Sequence, residues 1–145
     1  MSDDAENLRT PWGNLARAVT VLSDGERLVH DWYEGGEHPA IMVHASDTDA
    51  AEQLLPRIAA FFADRSGWHR RATDAVVTAF SEEDPTAEDL DAAAVDLVLE
   101  TIEVDADGGV RLHLKDSCGE HFIDGYWPAV LFDTADTITA VTVEA

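Results

Sequence analysis

The chain has 145 residues, 46% hydrophobic and 27% charged, enough apolar material for one compact domain and too much for a disordered chain. Its 30 acidic residues against 9 basic ones leave a net charge of −21. That balance excludes a duplex-binding protein, which needs a basic stripe to displace counterions, and excludes an anionic membrane surface by the same sign.

Lys115 is the single lysine, and Arg70-Arg71 is the one adjacent basic pair. No run of 18 apolar residues is long enough to span a bilayer. The start, Met1-Ser2-Asp3-Asp4-Ala5-Glu6, is acidic where a secretory signal is basic and then apolar. Cys118 is the lone cysteine, so no internal disulfide forms. These features predict a soluble, cytoplasmic protein.

Residues 1–10 read as a disordered acidic N-terminus, and residues 11–145 as a single domain beginning near Pro11-Trp12. Residues 15–22 and 27–33 alternate as strands around the turn Ser23-Asp24-Gly25-Glu26. Gly35-Gly36 ends the second strand, and residues 39–44 form a third.

Helices follow. Ser46 is the expected N-cap, with Asp47 and Asp49 in the first turn, where the helix dipole favours acids. Ala51, Leu54, Leu55, Ile58, Phe61 and Phe62 recur at helical spacing, with Pro56 expected to kink or split the helix. Ser66-Gly67 is expected to end that unit. A second helix spans residues 68–80, and Thr86 with Asp89 forms a capping box that opens a short third one.

The last third is strand-rich. Residues 97–104 alternate, with Leu97, Leu99, Thr101 and Glu103 on one face and Val98, Glu100, Ile102 and Val104 on the other. Asp107-Gly108 turns the chain into a strand of Val110, Leu112 and Leu114. Residues 121–123 read as a further strand, and residues 126–132 and 137–143 as a final pair. Strands, then helices, then strands give an α+β domain: an antiparallel sheet of N-terminal and C-terminal hairpins with two to three helices packed on one face. Hairpin spacing disfavours a doubly wound nucleotide fold.

From about residue 50 onward, two helices lead into Leu97-Val98-Leu99-Glu100-Thr101-Ile102-Glu103-Val104. An Asp107-Gly108 turn follows, then a strand ending in Asp116 and a short segment reaching His121. This pattern resembles the bacterial family domain of unknown function 2262 over about two thirds of the chain. Glu120 stands where that family's pattern has a glycine before the histidine. The resemblance implies a small cytoplasmic α+β domain and supplies no activity.

The densest polar cluster is His113, Asp116, Cys118, Glu120 and His121. Zinc takes imidazole, thiolate and carboxylate ligands, so His113, Asp116, Cys118 and His121 are candidate ligands if the turn at Ser117-Cys118-Gly119 brings the histidines together. The alternative is a polar hairpin turn, with no cofactor. Cys118 with either histidine is a nucleophile–base candidate, although the surrounding acids disfavour the thiolate. His30, His38 and His44 offer a second histidine set against a reading as edge residues. Trp68-His69-Arg70-Arg71 reads either as an anion site at a helix start or as cations paired within the chain. Tyr126-Trp127, ahead of Pro128, is either core or an interaction surface.

The acids run from Asp3 to Glu144 rather than clustering, which fits a compositional bias or a salt-rich cytoplasm. The function expected is an interaction module, by analogy with small immunity proteins a toxin-neutralising or regulatory one, with a basic protein partner. A metal-dependent or thiol enzyme built on residues 113–121 is the alternative. The chain is expected to be a monomer or a homodimer paired along the strand at 137–143.

Overall fold

The computed structural model describes residues 7–37 and 39–145; residues 1–6 and His38 lie outside them. Eight strands and three helices follow in the order β1 (Asn7–Thr10), β2 (Gly13–Val21), β3 (Arg27–Gly35), β4 (Ala40–His44), α1 (Thr48–Ala63), α2 (Arg65–Phe80), α3 (Ala87–Asp96), β5 (Leu97–Val104), β6 (Val110–Asp116), β7 (Trp127–Phe132) and β8 (Ile138–Glu144). The strands form one sheet in chain order, with β1 and β8 at its edges. The fold is α+β with its helices packed on the sheet, as the sequence predicts.

Each neighbouring pair is antiparallel except β4 and β5, which are parallel. A parallel pair cannot be joined by a hairpin, because the chain must return to the same end before it pairs again. The three helices make that return. Hairpin spacing gave no sign of this crossover, since it joins the two antiparallel halves once and is not repeated.

Several local expectations shift. Asn7–Thr10, expected within the disordered tail, pairs with β2 because Leu8 is buried beside Leu15. The α1 N-cap is Asp47 rather than Ser46, its carboxylate accepting the Ala50 N–H at 2.8 Å. The helix runs through Pro56. The missing N–H deprives only the carbonyl of Glu52, which belongs to an exposed residue. The break falls at Asp64 instead, so Ser66 and Gly67 lie in the first turn of α2. The capping box of Thr86 and Asp89 opens α3. Residues 121–123 form no strand. Asp116 Oδ2 accepts the N–H groups of His121 and Phe122, and this curls the segment into a loop.

The core lies between the helices and one sheet face. Ile58, Phe61, Trp68, Ala72 and Val76 meet Tyr33, Ile41, Val43, Ile102, Val104, Leu112 and Phe132. Arg57 fastens the far ends of two hairpins to α1. Its guanidinium donates to the Gly108 carbonyl at 2.8 Å, the Asp133 carbonyl at 3.0 Å and the Asp136 carboxylate at 2.6 Å. Gly108 holds φ +93 in its turn, a conformation that favours glycine. No helix among the described residues is long and apolar enough to cross a membrane.

Candidate binding face and its two polar clusters

The uncovered sheet face is set by a bulge. Leu97, Leu99, Ile102 and Val104 are all buried, which strict alternation forbids. The register between β5 and β6 shifts between Leu99 and Thr101, and the inserted residue, Glu100, is exposed. Both apolar pairs therefore face the helices. Glu103 goes to the opposite face with Thr101 and away from the side of Leu97 and Leu99, where simple alternation put it.

Register builds this face in rows. Met42, Glu103, Arg111 and Leu131 lie side by side across four strands, and Thr101, His113 and Ala129 form the next row. Trp32 pairs with His44 beyond them.

Glu103 is the hub. His113 Nε2 lies 2.7 Å from its Oε1 and His44 Nε2 lies 2.6 Å from its Oε2. Trp127 Nε1 donates to His113 Nδ1 at 3.0 Å. An indole nitrogen can only donate, so Nδ1 must accept and the His113 proton sits on Nε2, directed at Glu103. An imidazolium would set a second donor against the indole N–H. The hydrogen bond from His113, reinforced by that from His44, holds the Glu103 carboxyl at about 2 despite the opposing effect of burial. Asp105 behaves in the reverse way. Burial pushes its carboxyl up, Arg111 working against that shift and the Glu103 charge with it. Arg111 reaches Glu144 at 3.8 Å, while its buried Nε finds no acceptor.

The second cluster lies in the loop after β6. His121 Nε2 is 3.0 Å from Asp96 Oδ2, and the ligand atoms of Asp96, Cys118 and His121 lie within 4.8 Å of one another. Asp116 is occupied in shaping the loop: two backbone N–H groups bond one carboxylate oxygen and the Cys118 thiol the other. Desolvation is the largest single effect and raises its carboxyl, but the bonds from Phe122, His121 and Cys118 together carry it below the usual range. The Cys118 thiol is exposed. A bond with the Glu120 backbone lowers it, but desolvation, the Asp116 hydrogen bond and the charges of Asp116 and Asp96 together carry it upward. A raised thiol makes a poor nucleophile at neutral pH.

The four residues expected to converge are thus divided. Cys118 and His121 stay together and gain Asp96. His113 belongs to the sheet-face network, with both ring nitrogens engaged there by Trp127 and Glu103. Asp96 lies 25 residues from His121, and Glu103 lies 59 from His44, so spacing along the chain does not bring them together. Alternation also assigned Glu103 to the wrong side.

Tyr126 and Trp127 adjoin the uncovered face. Tyr126 is 49% exposed, and Trp127 is partly buried. Trp127 is shared by two neighbouring grooves. One, of about 330 Å³, holds Tyr126, Glu100, Asp116, Asp124 and Lys115. The other, of about 500 Å³, holds Met42, Glu103, Arg111, His113 and Glu144.

Among the described residues, His30, Arg70 and Arg71 are engaged within the chain, and His38 lies outside them. His30 stacks on Trp32 at 4.3 Å and contacts Thr20 at 2.7 Å. Arg70 pairs with Asp74 and Asp91, and Arg71 lies over Trp68. The segment Trp68-His69-Arg70-Arg71 is inside α2, past its start, so it forms no anion site at a helix terminus. No family model matches the chain, and no curated protein or solved structure does either.

Proposed function

We propose that the chain is a binding module whose uncovered sheet face, from Tyr126 and Trp127 across to Glu103, docks a basic segment of a partner protein. The observation that carries this reading is the shared Trp127. One indole joins two grooves lined by Glu100, Glu103, Asp116, Asp124 and Glu144, against Lys115 and Arg111. Partly buried aromatic residues supply contact area, and an acidic rim speeds encounter with a basic partner. The Glu103 carboxylate adds an ionised acceptor held in place by two imidazoles, so little ordering remains to be done on binding.

Cytoplasmic neutralisation or regulation of a basic protein fits this chemistry. The alternative thiol enzyme is poorly supported, since the acids around Cys118 raise its thiol. The test is capture from a lysate of the source cell with wild-type chain, Trp127→Ala and Val95→Ala. Val95 is 76% exposed on α3 and lines neither groove. One basic protein held by wild type and Val95→Ala but lost from Trp127→Ala, with retention falling as salt rises, is the expected result. Recovery of no partner, or of one that Trp127→Ala holds equally well, would overturn the proposal.

A further inference from the structure

The geometry points to a divalent-metal site, of the zinc type, formed by His44, Glu103 and Asp105 at the end of the uncovered face. It goes beyond the docking proposal and stands without it.

Glu103 and Asp105 are two residues apart on one strand and its continuation, so both carboxylates project to the same side. β4 runs parallel alongside, with Val43 opposite Val104, which sets His44 next to Asp105. The ligand atoms of the three residues lie within 4.8 Å of one another, and all three residues are partly buried. Zinc binds imidazole nitrogen and carboxylate oxygen at about 2.0–2.2 Å, which puts ligand atoms of a tetrahedron about 3.4 Å apart. The present His44–Glu103 distance of 2.6 Å is that of a hydrogen bond, and a metal in its place would set the two atoms about 3.4 Å apart. Three protein ligands leave a fourth position open.

Two further observations favour a cation here. No donor among the described residues bonds the Asp105 carboxylate, although the Glu103 carboxylate beside it has two. Glu103 is also oriented from behind, through His113 and then Trp127, as metal-binding carboxylates usually are. Arg111 is the opposing cation, and it reaches toward Glu144, opposite Trp127 at the end of β8. The three residues of this set are all partly buried, whereas Cys118 and His121 of the loop set are exposed.

The experiment is zinc titration of the metal-stripped full chain against a chromogenic chelator. Wild type, His44→Ala, Asp105→Asn and His121→Ala are compared, with far-UV circular dichroism of each to confirm folding. Asp105→Asn keeps the side chain's shape and guards against misfolding of the histidine variant. One zinc per chain is expected, at least 10-fold weaker in His44→Ala and in Asp105→Asn and unchanged in His121→Ala. His113→Ala, which touches no metal in this arrangement, weakens binding by 10- to 100-fold through Glu103. Absence of zinc binding in wild type, retention of wild-type affinity in Asp105→Asn, or loss in His121→Ala would overturn the site.

Discussion

Along β4, β5 and β6, the same strands present two unlike surfaces. Toward the helices stand Ile41, Val43, Ile102, Val104 and Leu112, none more than 1% exposed. Toward the other side stand Met42, His44, Glu103, Arg111 and His113. The first surface works by volume: its side chains are interchangeable so long as they fill the space. The second works by direction, because each polar atom needs a partner of the right kind at the right distance. Stability is therefore concentrated on one side and chemical individuality on the other, though neighbouring residues of one strand supply both.

Truncation on the two sides should expose that difference most strongly. Ile102→Ala is expected to cost about 2–5 kcal/mol, the transfer loss plus the cavity left behind. Urea unfolding measures this, with a lower midpoint and an unchanged slope. Arg57 is a polar anchor on the helix side. Arg57→Ala removes a side chain that ties three acceptors in two hairpin turns, and about 2–3 kcal/mol should be lost. An Arg57→Ala variant as stable as wild type would show that those turns hold without their link to α1.

The uncovered side should reveal itself in acid. Glu103 titrates at about 2 in the folded chain against an ordinary 4.5. The unfolded chain therefore binds the proton more readily between those values. The contribution is fully present above 4.5 and is lost as pH falls toward 2. Glu103→Gln should flatten that limb of the stability curve by about 1–2 kcal/mol, the partial exposure of the cluster reducing the gain. An unchanged acid limb would mean that the carboxylate is not held by its histidines. The smallest effect belongs to Trp127→Phe, which keeps an aromatic ring in place and removes the donor to His113 with part of the indole's contact area. About 1 kcal/mol should be lost, and a larger loss would mean that Trp127 belongs to the packed core.

The layers differ in how far the chain itself announced them. The α+β class, the capping box at Thr86 and the strand at Leu97–Val104 follow from local patterns: periodicity, a cap residue and a turn. The helix through Pro56 did not follow, because its tolerance depends on which carbonyl loses its donor and whether water reaches it. The bulge at Glu100 was equally silent. Alternation is a local rule, and only the need to bury both Leu97-Leu99 and Ile102-Val104 breaks it.

The same limit governs the candidate site. Residues 116–121 are close in sequence and were visible as a cluster. The Glu103 network draws on β4, β5, β6 and β7, and His44 and Glu103 are 59 positions apart. That assembly exists only once the helical crossover has laid β5 beside β4.

The most direct test of this account concerns the chain of contacts that holds the uncovered face in readiness: Trp127 to His113, then to Glu103 and His44. Long-range 1H–15N correlation of the histidine rings at neutral pH reads which nitrogen carries each proton. The account predicts that His113 holds its proton on Nε2, with Nδ1 shifted as a hydrogen-bond acceptor, and that Trp127→Phe removes that acceptor shift. A wild-type His113 protonated on Nδ1, or a ring that does not respond to Trp127→Phe, would contradict it.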